Sequence, residues 1–528
     1  MKQTKKLLIP LLLASLAMGA AGCAGGTSGK ANGGSDNTPK GNDISGGKNG
    51  EAAAEASFDL TIHMHYWDYV AFDDNWPVFK EAAKKTNINL KGTASKTATD
   101  SYEIFNLMLT SGKLADIVVG TKPQFHQFGV EGAFIPLGEL IEKHAPNLNR
   151  YLQEHPEVAK SIKAPDGQIY YIPFLPDGKA AQGWFIRKDW LEALKLDVPN
   201  SVEDLYNVLT AFKTMNPNGD AAKQEVPYFT RNGTVADMVV LWGARPSWMV
   251  ENNKVVWGPT QPAFKTAVVN LAKWYKEGLI DKEVFTRGGK AREILLGDNL
   301  GGVTHDWFAS TALYNESVKE QVPGIQFVPM APPADSNGER IELSSRDEVA
   351  LSGWAISSDN KHPIETIRYF DYWFTEEGRR LANFGVEGIT YDLVDGQPVF
   401  KDEILHSGGS VVSKLNEYGA QLEFGFKQDF EYEKQWMNEL ALQGAEMYMD
   451  NNYFAEKFPA LTFTLEEQKQ LDQIQAAVDS YFAESLQKWV LGVEDVEQTF
   501  ERYLTTLDSM GMGKLTKIYQ DAFDRYNQ

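Results

Sequence analysis

Cysteine is almost absent: the 528-residue chain has one, Cys23. That excludes a disulfide framework and any zinc or iron–sulfur centre built from thiolates. Histidine is scarce too, with eight residues, of which only His63 and His65 are close. On a strand those two would share one face. No His-Glu-x-x-His, no Gly-x-Ser-x-Gly and no glycine-rich loop ending in Gly-Lys-Ser/Thr occurs. Familiar signatures of zinc hydrolysis, acyl transfer and nucleotide binding are therefore missing. Basic residues are outnumbered 51 to 72, for a charge of −21, and such a surface repels phosphate backbones and argues against nucleic acid as a partner. What is plentiful is core material, 43% hydrophobic and 12% aromatic with 13 tryptophans. The chain is too long for one ordinary core, so two domains are expected.

The start of the chain is basic (Lys2, Lys5, Lys6) and then apolar from Leu7 to Ala21. That run is short of the roughly 20 residues a membrane helix needs, and it ends in small residues that suit cleavage. Cys23 follows Ala20-Ala21-Gly22, which resembles the lipobox of bacterial lipoproteins, with Ala20 where a larger aliphatic residue is usual. The resemblance implies a signal peptide over 1–22, lipidation at Cys23 and, over 23–56, a tether of Gly, Ser, Asn, Lys and Thr. Losing the three lysines would take the charge from −21 to −24. A flexible tether of this length spans roughly 30 Å, about 5–6 Å times the square root of its residue count. The expectation is a palmitoylated lipoprotein on the extracellular face of a Gram-positive cell membrane.

From Phe58 the pattern alternates strands and helices. Asp59–Met64 reads as a first strand running into an aromatic loop, 76–86 as a helix, and Asp116–Gly120 as a short, wholly apolar strand of the kind buried in a parallel sheet. Strand-like stretches recur at Tyr170–Pro173, Gly183–Ile186, Gly301–Thr304, Ile325–Pro329 and Val349–Ser357. After about residue 410 helices dominate, and Thr464-Leu465-Glu466-Glu467 offers a capping box for a helix over 465–490. The alternation implies an α/β layer fold.

Several stretches, in order, resemble one family. Ser111-Gly112-Lys113-Leu114-Ala115-Asp116-Ile117, Ile186-Arg187-Lys188-Asp189-Trp190-Leu191 with Leu196–Ser201, Tyr372–Gly378 and Asn383–Gly388 are similar to elements of the extracellular solute-binding lipoproteins of bacterial ABC importers, family 1, in the large oligosaccharide-binding branch. The resemblance implies a two-lobed clamp of the type II periplasmic-binding-protein kind with a helix-rich C-terminal part. Its chain crosses between lobes three times, expected near 175–183, 343–350 and 390–400. The first lobe would be 57–178 plus 348–395 and the second 179–347 plus 396–528. Partners would be an oligosaccharide and an ABC permease, the protein a monomer and not an enzyme. A secreted glycoside hydrolase or lyase is the rival reading, since 72 acidic residues can always supply a carboxylate pair. A peptide- or signal-binding lipoprotein is a third.

Sugar rings pack their C–H faces on aromatic rings and leave hydroxyls for polar side chains at the edge. Candidates are aromatics in loops after strands: Trp67 beside Asp68, and Trp307 beside Asp306. Trp354, Trp242, Arg245 and Glu387 are balanced between ligand contact and ordinary structure. Trp274 and Trp373, at helical spacing among apolar residues, read as core. Lastly, Asn216-Pro217-Asn218-Gly219-Asp220-Ala221-Ala222-Lys223-Gln224-Glu225 resembles the family's EF-hand-like calcium loop. That resemblance implies ligands at Asn216, Asn218, Asp220, Ala222 (carbonyl), Gln224 and Glu225. Asn216, Gln224 and Ala221 depart from its usual residues, and a loop that merely turns is the alternative. No cofactor is required, and a metal here would be structural.

Overall fold

The computed structural model describes residues 58–231, 235–407 and 410–527. The expected signal peptide, Cys23 and the tether lie outside the described residues. Two main sheets contain nine strands: β1 (Phe58–His63), β2 (Ile88–Gly92), β3 (Ile117–Thr121), β4 (Ile172–Pro173), β5 (Gln182–Arg187), β6 (Val226–Tyr228), β7 (Gly301–Trp307), β8 (Phe327–Met330) and β9 (Ser352–Ile356). The first sheet runs β2-β1-β3-β9-β4 and the second β8-β5-β7-β6. Helices cover both sheets, giving the α/β layers expected from the alternation, in the two-lobed arrangement that the resemblance implies.

Each lobe has its own core for a reason visible in its strands. In β1, Leu60 and Ile62 are fully buried while Thr61 points to the other face, the period of two that a strand imposes. In β3, Ile117, Val118 and Val119 are all buried, as a strand covered on both faces requires. The first core gathers residues from Leu60 to Leu175 and from Trp354 to Tyr432; the main second core gathers residues from Trp184 to Met330 and from Leu471 to Ile518. The capping box at Thr464 forms as expected: its N–H donates to Glu467 Oε2 at 2.8 Å and its hydroxyl accepts from Glu467 N–H. The helix it starts is Leu465–Val490.

Three segments lie side by side where the lobes meet. Phe174 N–H donates to the Ser352 carbonyl and Ala350 N–H to that of Phe174, while Leu175 and Phe426, and Gln428 and Leu175, are bonded in the same manner. Arg346 locks the group together, donating twice to Glu433 at 2.6 Å and once to the Asp177 carbonyl at 2.8 Å. This corrects the expected third crossing. Phe400, Ile404, Leu415, Leu422 and Tyr432 all pack in the first core, and the chain joins the other side with Phe430, Met437 and Ala441. The third segment is therefore 426–437 rather than 390–400. The hairpin at Tyr391–Phe400, which looks from its sequence like a crossing, turns back on itself instead.

Strand directions fix which edges face each other. β1 and β3 are parallel, β9 is antiparallel to β3, and β4 is antiparallel to β9, so β1, β3 and β4 all point the same way. The chain leaves the first lobe from the end of β4 and enters the second at the start of β5. Trp307, at the end of β7, is paired with Gln182 at the start of β5. The loop after β1 and the residue Trp307 therefore sit on the edges of the two sheets that the connection brings together, as open α/β sheets do at their ligand crevices.

Candidate functional site

Among the described residues four large aromatic side chains are exposed: Trp67, Tyr69, Tyr102 and Trp307. Three come from one neighbourhood of the first lobe. After β1 the chain makes a hairpin, pairing His65 with Ala71 and Tyr66 with Val70. Trp67 and Asp68 at its tip have φ of 50° and 62°, a left-handed conformation that costs an L residue roughly 1–2 kcal/mol. The surroundings hold it there. Asp68 accepts a bond from Ser101 N–H and gives one back to Ser101 Oγ, both at 2.9 Å, and His65 Nδ1 lies 2.8 Å from the same hydroxyl. Ser101 opens the helix Ser101–Thr110, so Tyr102 is carried beside the hairpin. Tyr66 donates its hydroxyl to Glu423 at 2.6 Å and stacks on Trp67 with centroids 4.3 Å apart.

In the second lobe Trp307 is presented by a charged cluster. Asp306 is buried and takes two bonds from Arg231 at 2.6 Å, with Arg292 Nε 3.3 Å away and Trp307 N–H at 2.8 Å. Arg292 is tied in turn to Ser310 and Thr311. The Asp306 contact raises the Arg231 pKa, whereas burial lowers that of Arg292. The oxygens of Asp306, the candidate beside Trp307, are engaged by Arg231 and by Trp307 N–H in fixing the turn. Asp68 does comparable work in the first lobe, one of its oxygens accepting from Ser101 N–H.

The other candidates divide. Trp354 is a correction: only 1% exposed, it stacks on Phe370 at 4.3 Å and 8° and packs against Gly425 in the first core. Its strand reaches the cleft edge at Ser352, but two residues further on the side chain faces inward. Trp242 packs edge-to-face on Trp274 at 5.1 Å in the second core. Arg245 donates to the Ala244 carbonyl, and burial lowers its pKa against the opposing pull of Asp335 and Glu339. Glu387 lines a separate groove of about 730 Å³ in the first lobe with Lys80, Lys84, Tyr372 and Arg380. None of the other sugar candidates lines that groove. Trp274 and Trp373 are buried, as expected for core residues. Tyr69 lies in the aromatic loop that the sequence shows, but its exposure and that of Tyr102 are not encoded in residue type.

The loop at 216–225 gathers amide and carboxylate groups around Asn216. The Asn216 amide stands 3.2 Å from Glu225 Oε1, 3.0 Å from Asn218 Oδ1 and 3.1 Å from the Asp220 carbonyl. With its NH2 group inward it donates to all three; with its oxygen inward it completes a nest of four oxygens, the ligand type calcium takes. Among the described residues no three His, Cys, Asp or Glu side chains form a metal-holding group, so such a site would lean on amides and carbonyls. Ala222 and Gln224 are exposed.

Comparison with known proteins bears on this geometry. A family model described as bacterial extracellular solute-binding protein matches residues 59–380. The fructooligosaccharide ABC transporter substrate-binding protein FusA of Streptococcus pneumoniae is 25% identical over 484 residues, spanning 85% of this chain and 87% of its own. Lipoprotein LipO of Bacillus subtilis is 25% identical over 337 residues, spanning 61% of this chain and 65% of its own. Among solved structures, the alginate-binding protein AlgQ2, in a crystal form without its calcium ion, has a TM-score of 0.72 and 44% identity. That match covers 89% of this chain and 99% of AlgQ2.

Proposed function

The chain belongs to the bacterial extracellular solute-binding proteins, and on that premise we propose that it captures an oligosaccharide between its lobes for delivery to an ABC permease. The observation that carries the reading is the placement of the exposed aromatic rings: all four lie at, or beside, the two facing edges. A sugar lying between them would exchange water for ring faces from both lobes, and closure about the hinge would follow because only the closed state makes both sets of contacts. The relatives named for fructooligosaccharide and alginate binding agree with a saccharide ligand. The mechanism needs no bond to break in the ligand. The protein would be held outside the cell by acylation of Cys23, and the loop at 216–225 would hold calcium as a structural ion, with Asp220 and Glu225 as its two carboxylates.

The test is a thermal-shift screen of the purified full-length protein against kestose, nystose and alginate-derived tetrasaccharides, with thin-layer chromatography of each mixture after long incubation. A raised melting temperature with intact sugar is the expected result. Shortened sugar would make the protein a hydrolase or lyase and overturn the reading. Repeating the screen in excess chelator should lower the melting temperature if calcium occupies the loop, and Asp220→Asn should abolish that difference.

A further inference from the structure

Resting on the oligosaccharide reading, the geometry points to Tyr69, rather than Trp67, as the ring on which the first lobe seats its sugar, with Trp67 as the positioning residue behind it. The three aromatic residues of the hairpin form a layered series. Tyr66 is partly buried and anchored through its hydroxyl to Glu423. Trp67 lies against it at 4.3 Å and 29° and is 36% exposed. Tyr69 follows at 6.3 Å and 27° from Trp67 and is 72% exposed. Exposure thus rises step by step outward, and the inner surface of the tryptophan is already covered by Tyr66. An aromatic face that a protein neighbour covers has no room for a sugar ring; the face that solvent covers does.

The hairpin backbone supports the same division of roles. Left-handed φ at both Trp67 and Asp68 is a strained choice for two non-glycine residues. The strain is held by the reciprocal Asp68–Ser101 bonds, and the turn closes with Tyr69 N–H donating to the Tyr66 carbonyl. A turn so constrained fixes where the next side chain emerges, and the next side chain is Tyr69. Tyr102, 68% exposed, stands one residue beyond the Ser101 that holds the hairpin, which extends the seat to a second ring and favours a ligand of more than one sugar unit. Pre-ordering of rings in this manner removes part of the entropy cost of binding.

The experiment is isothermal titration of the full-length protein with kestose, nystose and alginate-derived tetrasaccharides, followed by the same titrations of Tyr69→Ala, Tyr69→Phe, Trp67→Ala and Trp67→Phe. For whichever sugar the parent binds, Tyr69→Ala is expected to weaken affinity at least tenfold at an unchanged melting temperature, and Tyr69→Phe to stay within threefold of the parent. Trp67→Ala should weaken binding less than Tyr69→Ala, and Trp67→Phe should restore it, since a positioning ring needs only to be flat. If Tyr69→Ala binds like the parent while Trp67→Ala loses tenfold or more, Tyr69 is not the seat and the inference fails with the oligosaccharide reading intact. If the parent binds none of these sugars, the oligosaccharide reading falls and takes the inference with it.

Discussion

The two lobes present their aromatic rings by opposite means. In the first, a strained hairpin is held by hydrogen bonds to one helix start, and the groups involved are largely exposed. In the second, Trp307 leaves the end of a central strand over a buried carboxylate gripped by two arginines. The first arrangement trades local strain for a fixed outward ring; the second trades desolvation of three charges for a rigid strand end. A hairpin at the tip of a lobe can be altered with little consequence for the core, whereas the charged cluster is part of the core it sits on. The lobes also differ in their histidines. His63 and His126 of the first lobe are pushed down to about 4, chiefly by burial, with the charges of His65 and Lys122 adding to it. In the second lobe burial likewise opposes protonation of His305, but the Glu342 carboxylate 2.9 Å away, together with Asp237 and Asp306, outweighs it and raises the pKa.

The sharpest way to break this contrast is Asp306→Ala. Removing the carboxylate leaves Arg231 and Arg292 side by side without it, and loss of one partner of a buried ion pair costs about 3–5 kcal/mol. Urea unfolding should show that loss. The corresponding change in the first lobe, Asp68→Ala, removes the acceptor of Ser101 N–H while the helix keeps its own cap at Asp100, and should cost about 1 kcal/mol. Equal losses would show that the two supports are alike after all.

Acid should separate the lobes next. His63 and His126 have folded pKa values below the ordinary histidine value, so their unfolded forms bind protons first. The stability they confer is full above about pH 6.5 and is lost as pH falls towards 4, up to about 3 kcal/mol for each. His305 works in reverse: its raised pKa contributes stability at low pH that fades as pH rises through the folded value. Urea midpoints measured from pH 8 to pH 4.5 should therefore depend less on pH in His63→Gln and His126→Gln than in the parent. His305→Gln should lose more stability at pH 5 than at pH 8. A His305 variant equally destabilised at both would mean that its pairing with Glu342 carries no net charge dependence.

The last effect concerns affinity alone. Trp307→Ala should weaken oligosaccharide binding by roughly 1–3 kcal/mol, as for a single aromatic anchor, with the melting temperature of the free protein unchanged. An unchanged dissociation constant would remove Trp307 from the site and leave the site without an exposed aromatic from the second lobe among the described residues.

Sequence alone determined a good deal here. Alternating and continuous apolar runs identified β1 and β3 because a strand's two faces bury residues by simple parity. The capping box located the start of the long C-terminal helix because its hydrogen bonds are local, and the order of several motifs marked the family. What sequence left undecided was decided by contacts distant along the chain. Trp307 and Trp354 both belong to strands that reach the cleft edge, yet one is exposed and the other lies on Phe370, since a few positions along a strand exchange edge for interior. Asp306 was visible as a neighbour of Trp307, but Arg231, 75 residues away, is what takes up its oxygens. A hairpin and a crossing have similar local composition, and only the packing of Phe400, Ile404, Leu415, Leu422 and Tyr432 in the first core distinguishes them. Residue type and spacing settle which elements form; which face meets water, and which partner a charge finds, belongs to the tertiary structure because burial is a property of everything packed around a residue.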